Sequence, residues 1–191
     1  MQISNLISNK GVYFEGINIL SPRVFEDNRG YFYESWNKSV LNENIYKIDF
    51  CQENHSYSKN NVLRGLHFQL NPYAQGKLVE CLSGEIFDVI VDLRIKSPTF
   101  LQWGGVNLSE NNHKQIWIEQ GFAHGFYTLS KDAHVIYKVD NYWEKEYERT
   151  IIWNDPNLSI NWPLIHENPE ISDKDSIGHK VSEISKEEFY S

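Results

Sequence analysis

The chain has 191 residues, enough for one sizeable hydrophobic core and short for two, with 40% hydrophobic, 23% charged and 14% aromatic residues. A formal net charge of −8 and a pI of about 5.3 argue against a nucleic-acid partner, because non-specific nucleic-acid binding draws its affinity from basic residues that neutralise phosphates. The start, MQISNLISNKGVYF, lacks a basic-then-apolar signal peptide, and no apolar run approaches membrane-spanning length, so a cytoplasmic protein without a membrane partner is expected, with Cys51 and Cys81 reduced.

In chain order, residues 30–36 read as a strand and Lys38–Asn44 as a short helix. Strands follow at 62–69, 77–82, 84–93, 104–108, Gln115–Ile118, 123–129 and 133–143. These segments are rich in β-branched and aromatic residues and are separated by Gly, Asn, Pro and Ser. In 84–93, Phe87, Val89, Val91 and Leu93 fall on one face and are expected to pack in a core. Ile86, Asp88, Ile90 and Asp92 fall on the other, the mixture that a polar-lined cavity would carry. From about Pro163 the chain turns polar and charged. Residues 164–191 therefore read as a tail, with another short helix, wrapped on a core of about 11–163 and loose at its end. Many short strands with frequent turns give an all-β class, a sandwich or jelly-roll barrel, in one domain spanning 1–191.

Three stretches combine polar chemistry with tight glycine punctuation: RGLHFQ from Arg64 to Gln69, QGKLVE from Gln75 to Glu80, and GFAHGF from Gly121 to Phe126. A lone His in an apolar strand is ordinarily a hydrogen-bonded core residue, and a lone Lys a solvated strand end. Their joint occurrence points to a site, since charged groups are rarely buried without partners. His55, His67, His113, His124 and His134 are scattered and form no His-x-His pair, so no metal is expected. Nucleophile-elbow and phosphate-loop motifs are absent.

Taken together, DNRGYFYES, QENHSYS, VLRGLHFQ, AQGKLVE, GEIFDVIVDLR, SPTFLQW, IWIEQGFAHGF, YKVDNYW, IIWNDPNLSINWP and SDKD, running from about Val24 to Asp175, resemble the dTDP-4-dehydrorhamnose 3,5-epimerase family. The resemblance implies a cupin-like jelly roll (a double-stranded β-helix), a homodimer, and catalysis without cofactor or metal. The substrate it implies is a nucleoside-diphosphate 4-keto-6-deoxysugar. By position, His67 resembles the general base and Asp175 its carboxylate partner. Lys77 resembles the lysine that steadies the enolate oxygen, and Tyr137 the general acid on the opposite face of the sugar. Asp88 and His124 match a supporting pair. Arg29, Glu34, Gln52, Asn54, Arg64, Glu148 and Lys174 match positions that hold the nucleotide, diphosphate or sugar. Tyr142 matches an aromatic stacked on the base, and a segment near 29–36 is implied to cross to the partner.

The chemistry suits these residue types. Protons on C3 and C5 are acidified by the C4 ketone, and a histidine with a reference pKa near ~6.5 is a suitable base at neutral pH. A carboxylate on the second ring nitrogen fixes the tautomer, and a preplaced ammonium stabilises the oxyanion. Inversion needs a donor on the other face, which Tyr137 can supply. Arg29 and Arg64 suit a diphosphate. Two positions depart from the family pattern: Glu119, where proline is usual, and Tyr31, where phenylalanine is common. Both leave the nucleotide preference open.

Three competing readings stay open. A relative that inverts only C3 or only C5, or that takes another nucleotide, is separated by which carbon exchanges its proton. A metal-dependent cupin oxygenase or isomerase is separated by metal content. An inactive sugar-nucleotide binder is separated by the effect of replacing His67 and Tyr137.

Overall fold

A computed structural model describes residues 1–45 and 47–191. Two antiparallel sheets face each other. One has six strands in the order β1 (Gln2–Ile7), β2 (Tyr13–Ser21), β10 (Gln115–Ile118), β7 (Lys77–Ser83), β12 (Asp132–Val139) and β5 (Gln52–Lys59). The other has five, in the order β13 (Glu148–Thr150), β6 (Leu63–Gln69), β11 (Phe122–Thr128), β8 (Glu85–Asp92) and β9 (Trp103–Ser109). A separate hairpin, β3 (Phe25–Asp27) and β4 (Gly30–Phe32), pairs only with itself. Helix α1 (Lys38–Asn44) is capped by Asn37, whose side chain accepts from the Ser39 and Val40 amides, and α2 (Asp173–Ser176) is capped by Ser172. Among the described residues no helix is long and apolar enough to cross a membrane.

Three apolar clusters hold these layers together. Leu6, Phe14, Ile17, Val79, Ile86, Ile90, Ile116 and Phe126 fill the space between the sheets. Leu20, Leu41, Ile48, Leu78 and Trp117 join α1 to the outside of the six-stranded sheet. Leu63, Leu66, Phe68, Val89, Val91 and Leu93 lie under the C-terminal tail. Each fully buried aliphatic or aromatic side chain contributes about 1.5–3 kcal/mol. In β8 the wholly apolar face therefore packs outward, beneath the tail, whereas the mixed face carrying Ile86, Asp88 and Ile90 looks into the barrel.

The structure corrects several expectations. The core begins at Gln2 rather than near residue 11, because β1 and β2 join the large sheet. Their signal was weak because Phe14 and Ile17, three apart, both reach the inner core. The pairing of β1 with β2 shifts register beside Gly16, which sits at φ +85°. The expected strand at 30–36 is shorter and belongs to the hairpin, and the one at 133–143 ends at Val139. Strand β5 carries no apolar alternation to mark it, because its sequence, QENHSYSK, is almost wholly polar. The end of the tail is not loose. Tyr190 pairs beside Leu93 and Ile95, and its hydroxyl donates to the Gln69 carbonyl.

Candidate active site

A cavity of about 210 Å³ opens between the sheets, lined by Ser56, Arg64, His67, Lys77, His124, Gly125, Phe126, Tyr137, Glu148 and Lys174. It draws its residues from both walls. Arg64 and His67 come from β6, and His124 and Phe126 from β11. Lys77 and Tyr137 come from the facing sheet, where Lys77 is paired with Val139 and Tyr137 with Val79.

Strict alternation would place Arg64 and His67, three residues apart, on opposite faces of β6. A bulge prevents this: His124 pairs with His67 but Phe126 pairs with Arg64, so β6 carries one extra residue. The bulge centres on Gly65, at φ +112°. A Cβ there would lie 2.6 Å from the Gly125 Cα and 2.7 Å from the His124 carbonyl oxygen. Glycines at 65 and 125 thus let the two backbones close together, while Leu63, Leu66 and Phe68 still reach the outer core.

His67 Nε2 donates to Asp175 Oδ1 at 2.5 Å, bringing together residues 108 apart in sequence. Asp175 is 3% exposed, on α2, and its amide donates to the capping Ser172 hydroxyl. Burial lowers the His67 pKa against the opposing pull of Asp175, so the ring is neutral at pH 7 with its Nδ1 lone pair free. Burial alone would raise the Asp175 pKa. The hydrogen bond and charge of His67, the Ser172 hydroxyl and the Gly65 amide outweigh it and bring the carboxyl below its usual range. On the neighbouring strand His124 Nε2 bonds Asp88 Oδ2 at 2.8 Å, with Asp88 fully buried and its Oδ1 unpartnered.

Lys77 is 8% exposed, and burial depresses its pKa to about 8, while the charges of Glu148 and Asp88 favour the ammonium. Burial pushes the Tyr137 hydroxyl above its ordinary value, with Arg64 opposing, so it carries its proton at neutral pH. The Arg64 guanidinium is held by the Ser58 hydroxyl at 2.9 Å and the Tyr57 carbonyl at 3.0 Å. Lys174 on α2 pairs with Glu148 on β13 at 2.5 Å at the cavity wall.

Other expected residues lie elsewhere. Gln52 and Asn54 sit on edge strand β5, joined at 3.0 Å on the face that also carries Ser56. Tyr142 is 63% exposed and is held near the cavity strand through its carbonyl, which accepts from Gln69. Arg29 and Glu34 are exposed and do not line this cavity. Arg29 pairs with Asp27 at the tip of the hairpin, and Glu34 accepts from Asn37. Sequence reading missed Ser56 and Phe126 at the wall and Ser172 behind Asp175. Alternation from Gln52 and Asn54 pointed to Ser56, and the spacing Ser172-x-x-Asp175 is that of a helix cap. Among the described residues, no three His, Cys, Asp or Glu side chains converge as a metal-binding group.

Residues 12–183 match the model of the family described as dTDP-4-dehydrorhamnose 3,5-epimerase. The chain is 54% identical over 163 residues to a protein of that name from Shigella flexneri, covering 85% of this chain and 89% of that protein. It is 46% identical to one from Methanothermobacter thermautotrophicus, covering 84% and 87%. In structure it is similar to a dTDP-6-deoxy-D-glucose-3,5-epimerase from Legionella pneumophila solved with dTDP-4-keto-L-rhamnose (TM-score 0.91, 42% identity, 99% and 98% coverage). It is likewise similar to a dTDP-4-dehydrorhamnose 3,5-epimerase from Bacillus anthracis solved with TDP and pyrophosphate (TM-score 0.86, 45% identity, 94% and 100% coverage).

Proposed function

The chain belongs to the dTDP-4-dehydrorhamnose 3,5-epimerase family, acting as a nucleotide-sugar isomerase in dTDP-L-rhamnose biosynthesis, and on that premise we propose how its own residues divide the work. His67 and Tyr137 belong to opposite sheets yet line one cavity, and this observation carries the assignment. A sugar ring between them meets a base on one face and an acid on the other.

His67 Nδ1 takes the proton from C3 or C5, and the C–H electron pair moves into the ring as an enolate with its charge on O4. Lys77 stabilises that oxyanion by a charge-assisted hydrogen bond, an interaction of the kind worth about 3–4 kcal/mol of barrier. Tyr137 then gives its proton to the carbon from the far side, which inverts the centre. Asp175 steadies the imidazolium formed in the first step. Solvent returns the Tyr137 proton and removes the one on His67 before the second centre reacts. His124 and Asp88 form the floor beside Lys77. Arg64 and Lys174 neutralise the diphosphate, Glu148 and the Gln52–Asn54 pair hold sugar and nucleotide, and Tyr142 offers a stacking face to the base. The reaction draws on no cofactor or metal in this reading.

The active form is a homodimer in which the β3–β4 hairpin reaches a second copy. Support comes from its exposed Phe25 (51%), Tyr31 (57%) and Phe32 (69%), and from Arg29 and Glu34 having no place at their own cavity. Light scattering should give a mass near twice 22.5 kDa. The substrate dTDP-4-keto-6-deoxyglucose, incubated with the protein in heavy water, should take up deuterium at both C3 and C5. Uptake at neither carbon sinks the assignment, and uptake at one alone identifies a single-centre epimerase.

A further inference from the structure

The β3–β4 hairpin makes no ladder with either sheet, and paired strands this short are marginal on their own, so its direction must be set at its root. The first residue beyond it, Tyr33, donates its hydroxyl to Glu80 Oε1 at 2.5 Å. The other Glu80 oxygen accepts from Gln115 Nε2 at 2.7 Å. Glu80 is 6% exposed on β7, two residues from Leu78, on the outer side of the large sheet, where Gln115 of β10 and Ile136 of β12 flank it.

No cation pairs with Glu80 among the described residues. A buried carboxylate held by two neutral donors is a poor choice for stability, where an aliphatic side chain would serve better. Its geometric effect is specific: it grips the chain at one hydroxyl, immediately after the hairpin. A second grip comes from His113, whose ring lies 4.8 Å from that of Tyr31 and 5.0 Å from that of Tyr33, with the two tyrosines stacked at 5.9 Å. Burial, then the Glu80 carboxylate, raises the Tyr33 pKa, which keeps the hydroxyl a donor at every working pH.

We infer that Tyr33, through Glu80, is a positioning residue for substrate binding: it aims the hairpin so that Arg29 at its tip meets the nucleoside diphosphate in a second copy's cavity. This rests on the reading that the hairpin serves a neighbouring cavity. Orienting the hairpin before substrate arrives removes an ordering cost from binding, so loss of the anchor raises KM and spares kcat.

The test is steady-state kinetics of the full-length protein with dTDP-4-keto-6-deoxyglucose. Tyr33→Phe should raise KM about tenfold, in the range of a hydrogen bond to a charged group, with kcat within about twofold. Glu80→Leu should do the same. Glu80→Gln, whose amide oxygen still accepts from Tyr33, should restore a near-native KM, a rescue that lost packing alone would not produce. The Arg29→Ala/Tyr33→Phe double variant should bind no worse than Arg29→Ala. An unchanged KM in Tyr33→Phe, equal KM values in Glu80→Gln and Glu80→Leu, or an additive double variant overturns the anchor. If Arg29→Ala itself leaves KM unchanged, the hairpin's role in binding fails instead. If Tyr33→Phe melts early, the Glu80→Gln and Glu80→Leu comparison decides the matter.

Discussion

His67 and His124 stand directly opposite each other across the antiparallel pair β6 and β11, and each is bonded through Nε2 to its own buried carboxylate, Asp175 and Asp88. They differ in access: the His67 side chain is 27% exposed and that of His124 8%. His67 is the more open of the two rings that line the cavity, which suits it to the role of base proposed above, with His124 in support.

Asp175→Asn keeps the shape of the dyad and removes its charge. The amide can present an N–H to Nε2, which would move the ring proton to Nδ1 and cap the basic nitrogen. We expect kcat to fall about 10²–10⁴-fold with little change in KM. A kcat within threefold of the parent, with melting unchanged, would show that the carboxylate is dispensable.

Tyr137→Phe removes the donor on the far face and leaves His67 in place. The proton taken by His67 can then return only to the side it left. Deuterium should enter the starting sugar at C3 or C5 without net inversion, as NMR in heavy water would reveal. Inversion at the normal rate removes Tyr137 from the mechanism.

Lys77 must be charged to stabilise the oxyanion, and its pKa is depressed to about 8. The kcat/KM profile should therefore fall as pH rises through about 8, approaching tenfold per unit. On the acid side, burial lowers the His67 pKa from 6.5, so activity should hold until below that value. A profile flat to pH 9.5 contradicts the lysine's role.

The same lysine costs stability. Between about 8 and 10.5 the unfolded chain holds a proton that the folded chain has released, so this group makes stability rise with pH across that window. Lys77→Met should inactivate the protein yet stabilise it by about 0.5–2 kcal/mol at pH 7. The gain should shrink toward pH 10.5, as thermal melts at several pH values would show. A less stable Lys77→Met at pH 7 counts against a strained, desolvated ammonium.

Gly65→Ala puts a Cβ against the Gly125 Cα and the His124 carbonyl, at a φ of +112° that L side chains avoid. Overpacking and backbone strain together should cost about 2–4 kcal/mol. Denaturant unfolding checks this, and a loss below about 0.5 kcal/mol would mean that the bulge relaxes freely.

Strands were legible where one face is apolar and alternation is clean, as in β8, or where β-branched and aromatic residues cluster between turn residues, as in β10 and β11. They were hidden where the exposed edge is polar, as in β5, and where a glycine breaks the period, as in β2. The separate motifs around Arg64, His67, Lys77 and His124 were legible because burying such groups demands partners, and the partners had to be near.

By its residues alone, the chain determined an all-β class, family membership, and the set of histidine, tyrosine, lysine and aspartate side chains on which the proposed chemistry draws. Only the tertiary structure decided their arrangement. Asp175 reaches His67 because the tail packs Val181, Phe189 and Tyr190 against the outside of the small sheet. Arg64 and His67 share a face because one extra residue in β6 shifts the register. Arg29 does not line its own cavity because its hairpin joins neither sheet. Spacing in sequence encodes local periodicity, whereas a bulge, a docked tail and a hairpin outside both sheets depend on which distant surfaces bury area against each other, and that is settled when the sheets close.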